Sequence, residues 1–252
     1  MGKPTVVLGA GGPTGQECVA ALLKEKQGPV RAVVRNPSKY TGVEKLAGAE
    51  LVGGDVSDRA SLDAAMSGAK NCIFAASASS YFAPGAVDRD GVGKAADAAK
   101  AAGLERFVLV SSMLVTPRNR WDKLRLLLNN IRWGLMDAKF AGENLLRKSG
   151  VPYTIVRPGG LKNQEGNHEV VGAQGDDRAK FPQPYTSIAR ADVARVCVAA
   201  LRDPAAEGKT FEVANKNAAA SAKDAPVLTA AKAGWPDIKN LFSALKRDDE
   251  LA

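Results

Sequence analysis

The stretch VVLGAGGPTGQECV, Val6 to Val19, constrains the chain more than any other. A β-branched run stops in Gly9, Gly11, Gly12 and Gly15, and a pattern with helical spacing follows. Gly9, Gly12 and Gly15 stand three residues apart, in the order strand, glycine turn, helix. A chain that turns this sharply needs residues without a Cβ, and the same lack of side chains lets a phosphate reach the backbone. A helix beginning near Thr14 offers unpaired N–H groups and the positive end of its dipole to that phosphate. Pro13 suits the first helical position because it has no N–H to leave unpaired. Gly9, Gly12, Pro13, Thr14 and Gly15 are therefore expected to cradle the pyrophosphate of a dinucleotide.

The rest of the chain repeats the alternation that this turn begins. Strands are expected at Thr5–Leu8, Val30–Val34, Glu50–Gly53, Asn71–Ala75, Arg106–Ser111 and Tyr153–Val156. Helical patterns lie at Thr14–Lys26, Arg59–Met66, Asp88–Ala102 and, as one long helix, Trp121–Lys148. Runs such as RFVLVSS are apolar on consecutive residues, as strands buried on both faces should be. The fold class is α/β, a Rossmann-like doubly wound parallel sheet. After Gly160 the rhythm loosens into a polar stretch that reads as a short hairpin and a long loop. A helix at Arg190–Leu201 and the strand KTFEVAN come next. Residues 1–215 are expected to form one nucleotide-binding domain with a small C-terminal substrate lobe from about residue 160, and 216–252 a helical extension.

The end of the second strand selects among dinucleotides. A cofactor without a 2′-phosphate is held there by a carboxylate on the ribose hydroxyls. This chain has Arg35, with Lys39 four residues on, and a guanidinium forks onto a phosphate. The expected cofactor is NADP(H). Asp55 and Val56, after the third strand, fall where an adenine would sit, and Ala75, Ala76 and Ser77 are small enough to let the backbone approach the cofactor.

Composition narrows the partners. Apolar residues make up 45% of the 252 positions, enough for a packed core. A net charge of +8 favours anionic ligands, but the cations are dispersed and not gathered in a block, which argues against nucleic acid. No apolar run is long enough to span a membrane. Cys18, Cys72 and Cys197 lie in apolar patterns without metal-ligand spacing and read as buried thiols. No metal site is expected. His168 has no second ligand in view and reads as part of a surface hairpin. The segment Arg118–Leu135 sets Trp121, Leu124, Leu128, Ile131 and Leu135 at helical spacing among arginines. That is either the core stripe of a helix or a basic amphipathic patch for a protein or the periphery of a membrane.

The segments GAGGPTGQ, VVRNPSK, GGDVSD, AAKAAGLERFVLVSS, AGENLLRKSGVPYTIVRPGGL and SIARADVARVCVAAL together resemble the NmrA-like branch of the atypical short-chain dehydrogenase/reductase family, over about residues 3 to 215. It is also similar to plastid members that bind NADP(H). The resemblance implies that Pro158 and Gly159 contact the nicotinamide end, that Lys139 binds the nicotinamide ribose, and that Ser111, with Ser112 beside it, orients a substrate. It also exposes a departure. Ordinary members carry a tyrosine four residues before the lysine, whose pKa the lysine lowers for proton transfer; here that position is Leu135. Tyr81 and Tyr185 are the other phenols in line as proton donors, and Asp192 is expected to cap or anchor its helix. The implied activity is NADPH-dependent reduction of a quinone, flavin or carbonyl compound, with a small-molecule substrate. The alternative is a non-catalytic NADP(H) sensor, scaffold or assembly subunit with a protein partner. The opening MGKPTVV reads as no targeting peptide, which points to the cytoplasm or, had a transit peptide been removed, the plastid stroma.

Overall fold

The computed structural model describes residues 2–80, 82–177, 186–216 and 239–251. Strands β1 (Thr5–Leu8), β2 (Val30–Val34), β3 (Glu50–Gly53), β4 (Asn71–Phe74), β5 (Arg106–Val110) and β6 (Tyr153–Pro158) run parallel in the order β3-β2-β1-β4-β5-β6. Beyond β6 the sheet continues with β10 (Lys209–Asn215), still parallel, and closes with β8 (Val170–Ala173), antiparallel to β10. Two of the strands after residue 160, β10 and β8, thus extend the main sheet. A short parallel pair, β7 (Gly160–Lys162) with β9 (Ser187–Ala189), follows β6 directly. Among the described residues the expected hairpin does not form: β7 and β8 each pair with a later strand and not with one another.

Both faces of the sheet are covered. Helices α1 (Pro13–Lys24) and α6 (Arg190–Arg202) pack on one face with Val7, Val108 and Val156. Helices α2 (Arg59–Met66), α3 (Val92–Ala101) and α5 (Leu135–Ser149) cover the other with Val6, Leu8, Phe107 and Ile155. Alternate residues of β1 therefore serve opposite cores, which is why all four are apolar or small and buried. At the far end, α7 (Lys239–Ser243) returns to the sheet: Phe242 packs edge-on against Phe211 at 5.7 Å, and Leu241 is buried in the first core.

Two helices differ from the sequence expectation. The pattern over 88–102 begins as a π-helical turn, Gly85–Gly91, before α3. The long helix expected at Trp121–Lys148 is two: α4 (Lys123–Ile131) and α5, broken at Arg132–Gly134. Arg132 is extended and Gly134 sits at φ +67°, a conformation that glycine alone adopts freely. Asn129 fixes the break by accepting the Met136 N–H at 2.8 Å and, through its carbonyl, the Gly134 N–H at 3.1 Å.

Asp192 anchors α6 from within its first turn. Fully buried, it accepts from the backbone of Asn167 (2.8 Å) and His168 (3.3 Å), from Asn215 Nδ2 (2.9 Å) and from Arg195 (2.7 Å). His168 accordingly lies in a loop pinned to α6 and not in a hairpin. The α6 N-cap itself has no side-chain hydrogen bond, so Asp192 anchors without capping. Removing one partner of a buried charged cluster costs about 3–5 kcal/mol. Asp192→Ala should therefore lower the unfolding temperature by roughly 10 °C; calorimetry showing no shift would refute this role.

Candidate dinucleotide and substrate site

The strand order reverses direction between β1 and β4, and a cavity of about 1700 Å³ opens at the carboxyl ends there. That exceeds the roughly 300–1,000 Å³ of a typical small-ligand pocket, so it has room for two molecules. Of the residues singled out in the sequence, Gly9, Gly12, Pro13, Thr14, Arg35, Lys39, Asp55, Val56, Ala75, Ala76, Ser77, Ser111, Lys139, Pro158 and Gly159 line it. Gly15 does not. Tyr81 and Tyr185 lie outside the described residues.

The glycines divide into two kinds. A Cβ on Gly9, at φ +78°, would meet the Ala76 backbone at 2.6 Å, and one on Gly15 would strike the Gly9 carbonyl. Those two are required by packing alone. A Cβ on Gly12 would meet nothing of the protein closer than the Gly9 carbonyl, at 3.4 Å. Protein packing thus tolerates a side chain at Gly12, and the bareness of this cavity-lining residue fits the approach of a phosphate. Gly12 is also the N-cap of α1, which has no side-chain cap and no acidic residue in its first turn, leaving the helix end open to an anion.

At the other end of this half, Arg35 and Lys39 are exposed and no carboxylate pairs with either among the described residues. The Asp55 carboxylate accepts from the backbone and hydroxyl of Ser57 (2.8 and 2.7 Å), and these bonds, more than the nearby Arg35, hold its pKa below the ordinary carboxylate value.

The opposite end of the cavity is built across three adjacent strands. Ser111 lies one position beyond the registered pair Val110/Val156, and Arg157 is in register with Glu212 on β10. The row Ser111–Arg157–Glu212 continues the face that carries Leu109 and Ile155 below it. Arg157 donates from Nε and Nη2 to both oxygens of Glu143 on α5 (2.9 and 2.6 Å) and from Nη1 to Glu212 Oε1 (3.0 Å). Burial alone would lower the Arg157 pKa, but its bonds to Glu143 and the charges of Glu143 and Glu212 outweigh that and hold it charged. Glu212 is 1% exposed and also lines the cavity. Burial pushes its pKa up to about 7 against the pull of Arg157. Glu212 Oε2 and Ser111 Oγ are both buried without a well-formed hydrogen bond, although the Asp176 N–H helps hold the Glu212 carboxylate down. Sequence reasoning missed Glu212 because, inside KTFEVAN, a glutamate reads as the solvent side of a strand.

Two further acids were also missed. Asp88, in the π-helical turn, holds Lys139 by an ion pair of 2.8 Å and accepts the Ala78 N–H at 2.9 Å. It thereby ties the lysine to the loop after β4. Asp176 accepts from the Leu114 and Thr116 backbones (2.6 and 2.8 Å), holding Leu114 at φ +67°. Leu135, at the first position of α5, is buried and lines the cavity one helical turn from Lys139. The usual tyrosine's place therefore faces the site with a hydrocarbon. Ser112 is turned aside and donates to the Met113 carbonyl at 3.0 Å.

Comparison with known proteins agrees with this architecture. The model of an NAD(P)H-binding family matches residues 9–204. The chain is 32% identical over 211 residues to the Bacillus subtilis (strain 168) protein named as an uncharacterized sugar epimerase, YhfK, covering 82% of this chain and 92% of that one. It is 32% identical over 256 residues to sanguinarine reductase of Eschscholzia californica, covering 85% and 90%. A solved Bacillus halodurans structure, named as an NAD-dependent epimerase/dehydratase, superposes with a TM-score of 0.71 at 28% identity over 86% of this chain and 95% of that one. The chain belongs to the NAD(P)H-binding family of NmrA-like, atypical short-chain dehydrogenases/reductases.

A buried acid with a raised pKa destabilises the fold as it ionises. The Glu212 contribution is neutral below the unfolded value of 4.5, where both states are protonated, and turns unfavourable as pH rises toward and through about 7. The penalty approaches the order of 3 kcal/mol. Between about pH 5 and pH 8 the unfolding temperature should fall by roughly 5–10 °C from this source. Glu212→Gln should flatten that slope, and an unchanged slope in the variant would exclude Glu212 as its origin.

Proposed function

We propose that the protein is an NADPH-dependent reductase of a quinone, a flavin or a conjugated carbonyl compound. The observation that carries this reading is the single cavity running from the glycine turn, past Arg35 and Lys39, to an end lined by Ser111, Leu135 and Glu212. In it, the α1 N-terminus and Gly12 would hold the pyrophosphate, and Arg35 with Lys39 the 2′-phosphate. Asp55 and Val56 would border the adenine. Lys139, oriented by Asp88, would reach the nicotinamide ribose, and Pro158 and Gly159 would set the nicotinamide face. The bound dinucleotide supplies a hydride.

Leu135 limits what can accept it. Among the described residues no phenol stands beside Lys139 to protonate an alkoxide, and the family's usual position for one holds Leu135. This favours acceptors whose reduced forms are stable anions or take their proton from water. It also disfavours the sugar epimerisation named for the Bacillus subtilis relative, which requires a group to remove a hydroxyl proton. Sanguinarine reductase, by its name, reduces an organic substrate, and that relationship supports the reductase reading. The Leu135 substitution and the capture of Lys139 by Asp88 equally favour a second reading, a sensor or scaffold subunit that binds NADP(H) without turnover.

Titration with NADPH and NADH, followed by NADPH oxidation against quinones, flavins and aldehydes, separates these readings. Turnover establishes the reductase; tight binding without turnover establishes the sensor. Loss of a charge-assisted phosphate contact should weaken NADPH binding about 10- to 100-fold in Arg35→Asp, while NADH binding improves or holds. An unchanged preference would refute the phosphate grip assigned to Arg35.

A further inference from the structure

Helix α4 is inside out. Its buried side chain is Arg125, 4% exposed, which donates to the carbonyls of Leu114, Val115 and Thr116 (3.0, 2.7 and 2.8 Å) and pairs with Asp137. Leu124, Leu126 and Leu127 face outward. Among the described residues nine large apolar side chains are exposed, and seven of them are Phe82 and members of the 121–133 segment. Trp121 is 76%, Ile131 56%, Trp133 68% and Phe82 80% exposed. Phe82 and Trp133 lie 6.3 Å apart, joining the loop after β4 to the break before α5 in one apolar face. The core-stripe reading of this segment therefore fails for all but Leu135, which is buried, and Leu128, which is half-buried.

The charges around this face are one-sided. Arg120 stacks on Trp121 at 5.6 Å, and neither Arg120 nor Lys123 has a carboxylate partner among the described residues. The acids of the segment are already engaged: Asp122 caps α4 by accepting from the Leu124 and Arg125 N–H groups, and Asp137, although exposed, is held by Arg125 and Asn129. A short helix with leucines outward, tryptophans at both ends and cations at the margin has the composition of an interfacial element. Leu124 and Leu128 of the same helix line the cavity, so the apolar face continues into the site's mouth.

We propose that Phe82, α4 and the flanking tryptophans dock on an anionic lipid surface. Charge decides among occupants. A second copy meeting this face about a two-fold axis would set Arg120 and Lys123 of both copies around one contact, like charge against like. Anionic headgroups pair with those cations while acyl chains receive the leucines, and the chain's net charge of +8 adds to the attraction. The docking holds whether or not the protein turns over. If the reductase reading also holds, an apolar substrate reaches the cavity from the bilayer.

The test is flotation of the purified protein with vesicles of phosphatidylcholine alone and of equal parts phosphatidylcholine and phosphatidylglycerol, at low and high salt. The protein should float with the anionic vesicles only, less so in high salt, with a blue shift of tryptophan emission. Leu127→Ser/Ile131→Ser, at two positions outside the cavity lining, should abolish flotation without changing the unfolding temperature. Arg120→Gln/Lys123→Gln should weaken it about 30-fold. Failure to float with either vesicle, or equal flotation with both, overturns the proposal. So does a dimer in solution that Leu127→Ser/Ile131→Ser dissolves, which would give the face to a second copy.

Discussion

The structure depends on the clearance between the first glycine turn and its neighbours. Gly9 lies so close to Ala76 that no Cβ fits between them, and Gly15 presses α1 onto the Gly9 carbonyl. These contacts bring the loops after β1 and β4 together at the point where the sheet reverses direction. Because the turn is this tight, α1 begins at once, its N-terminus uncapped and directed toward the cavity rim that Gly12, Pro13 and Thr14 share. The dinucleotide half of the site is thus a consequence of backbone packing, and few polar side chains are needed to make it.

The other half of the cavity is organised by charge instead. Arg157 binds α5 through Glu143 and β10 through Glu212, so one guanidinium joins three elements beneath the cavity floor. Glu143 is shared with Arg147, which in turn reaches Asp248 at 3.0 Å. Asp248 also accepts from Tyr153 and from the Thr210 backbone. The C-terminal residues are thereby fastened to the same network. Glu143 has two guanidinium partners, whereas Glu212 has only Arg157; buried, and with one oxygen poorly bonded, Glu212 is where a proton is most easily retained. A group that can carry a proton near neutrality stands in the row with Ser111, at the end of the cavity that Leu135 also lines.

How much of this the sequence discloses depends on the range of the interaction. The glycine turn, the strand alternation and the Leu135–Lys139 spacing are local patterns, legible because each is set by neighbours along the chain. Glu212 and Asp88 are not legible, since their roles come from residues 55 and 51 positions away, Arg157 and Lys139. The break at Arg132–Gly134 was missed because the apolar spacing from Leu124 to Leu135 runs through it. The pattern is continuous while the helix is not, and Asn129, which fixes the break, carries no signal of its own.

Arg125 explains how such a break can coexist with an outward apolar face. The loop of Leu114–Thr116 has its N–H groups taken by Asp176 and its carbonyls by Arg125, from opposite sides. Few other side chains could reach three carbonyls and a carboxylate together, since the guanidinium offers five donors in a rigid fork. Placing that arginine inward dictates which side of α4 faces out, and the leucines are on it. The apolar surface is therefore not a packing failure that a different rotamer would relieve. Rotating α4 to bury its leucines would strand the three carbonyls that Arg125 holds, a cost of several kcal/mol in unpaired polar groups. The helix is held with Leu124, Leu126 and Leu127 outward by the same contacts that shape the loop of Leu114–Thr116 beside the cavity, so the surface and the cavity wall are specified together.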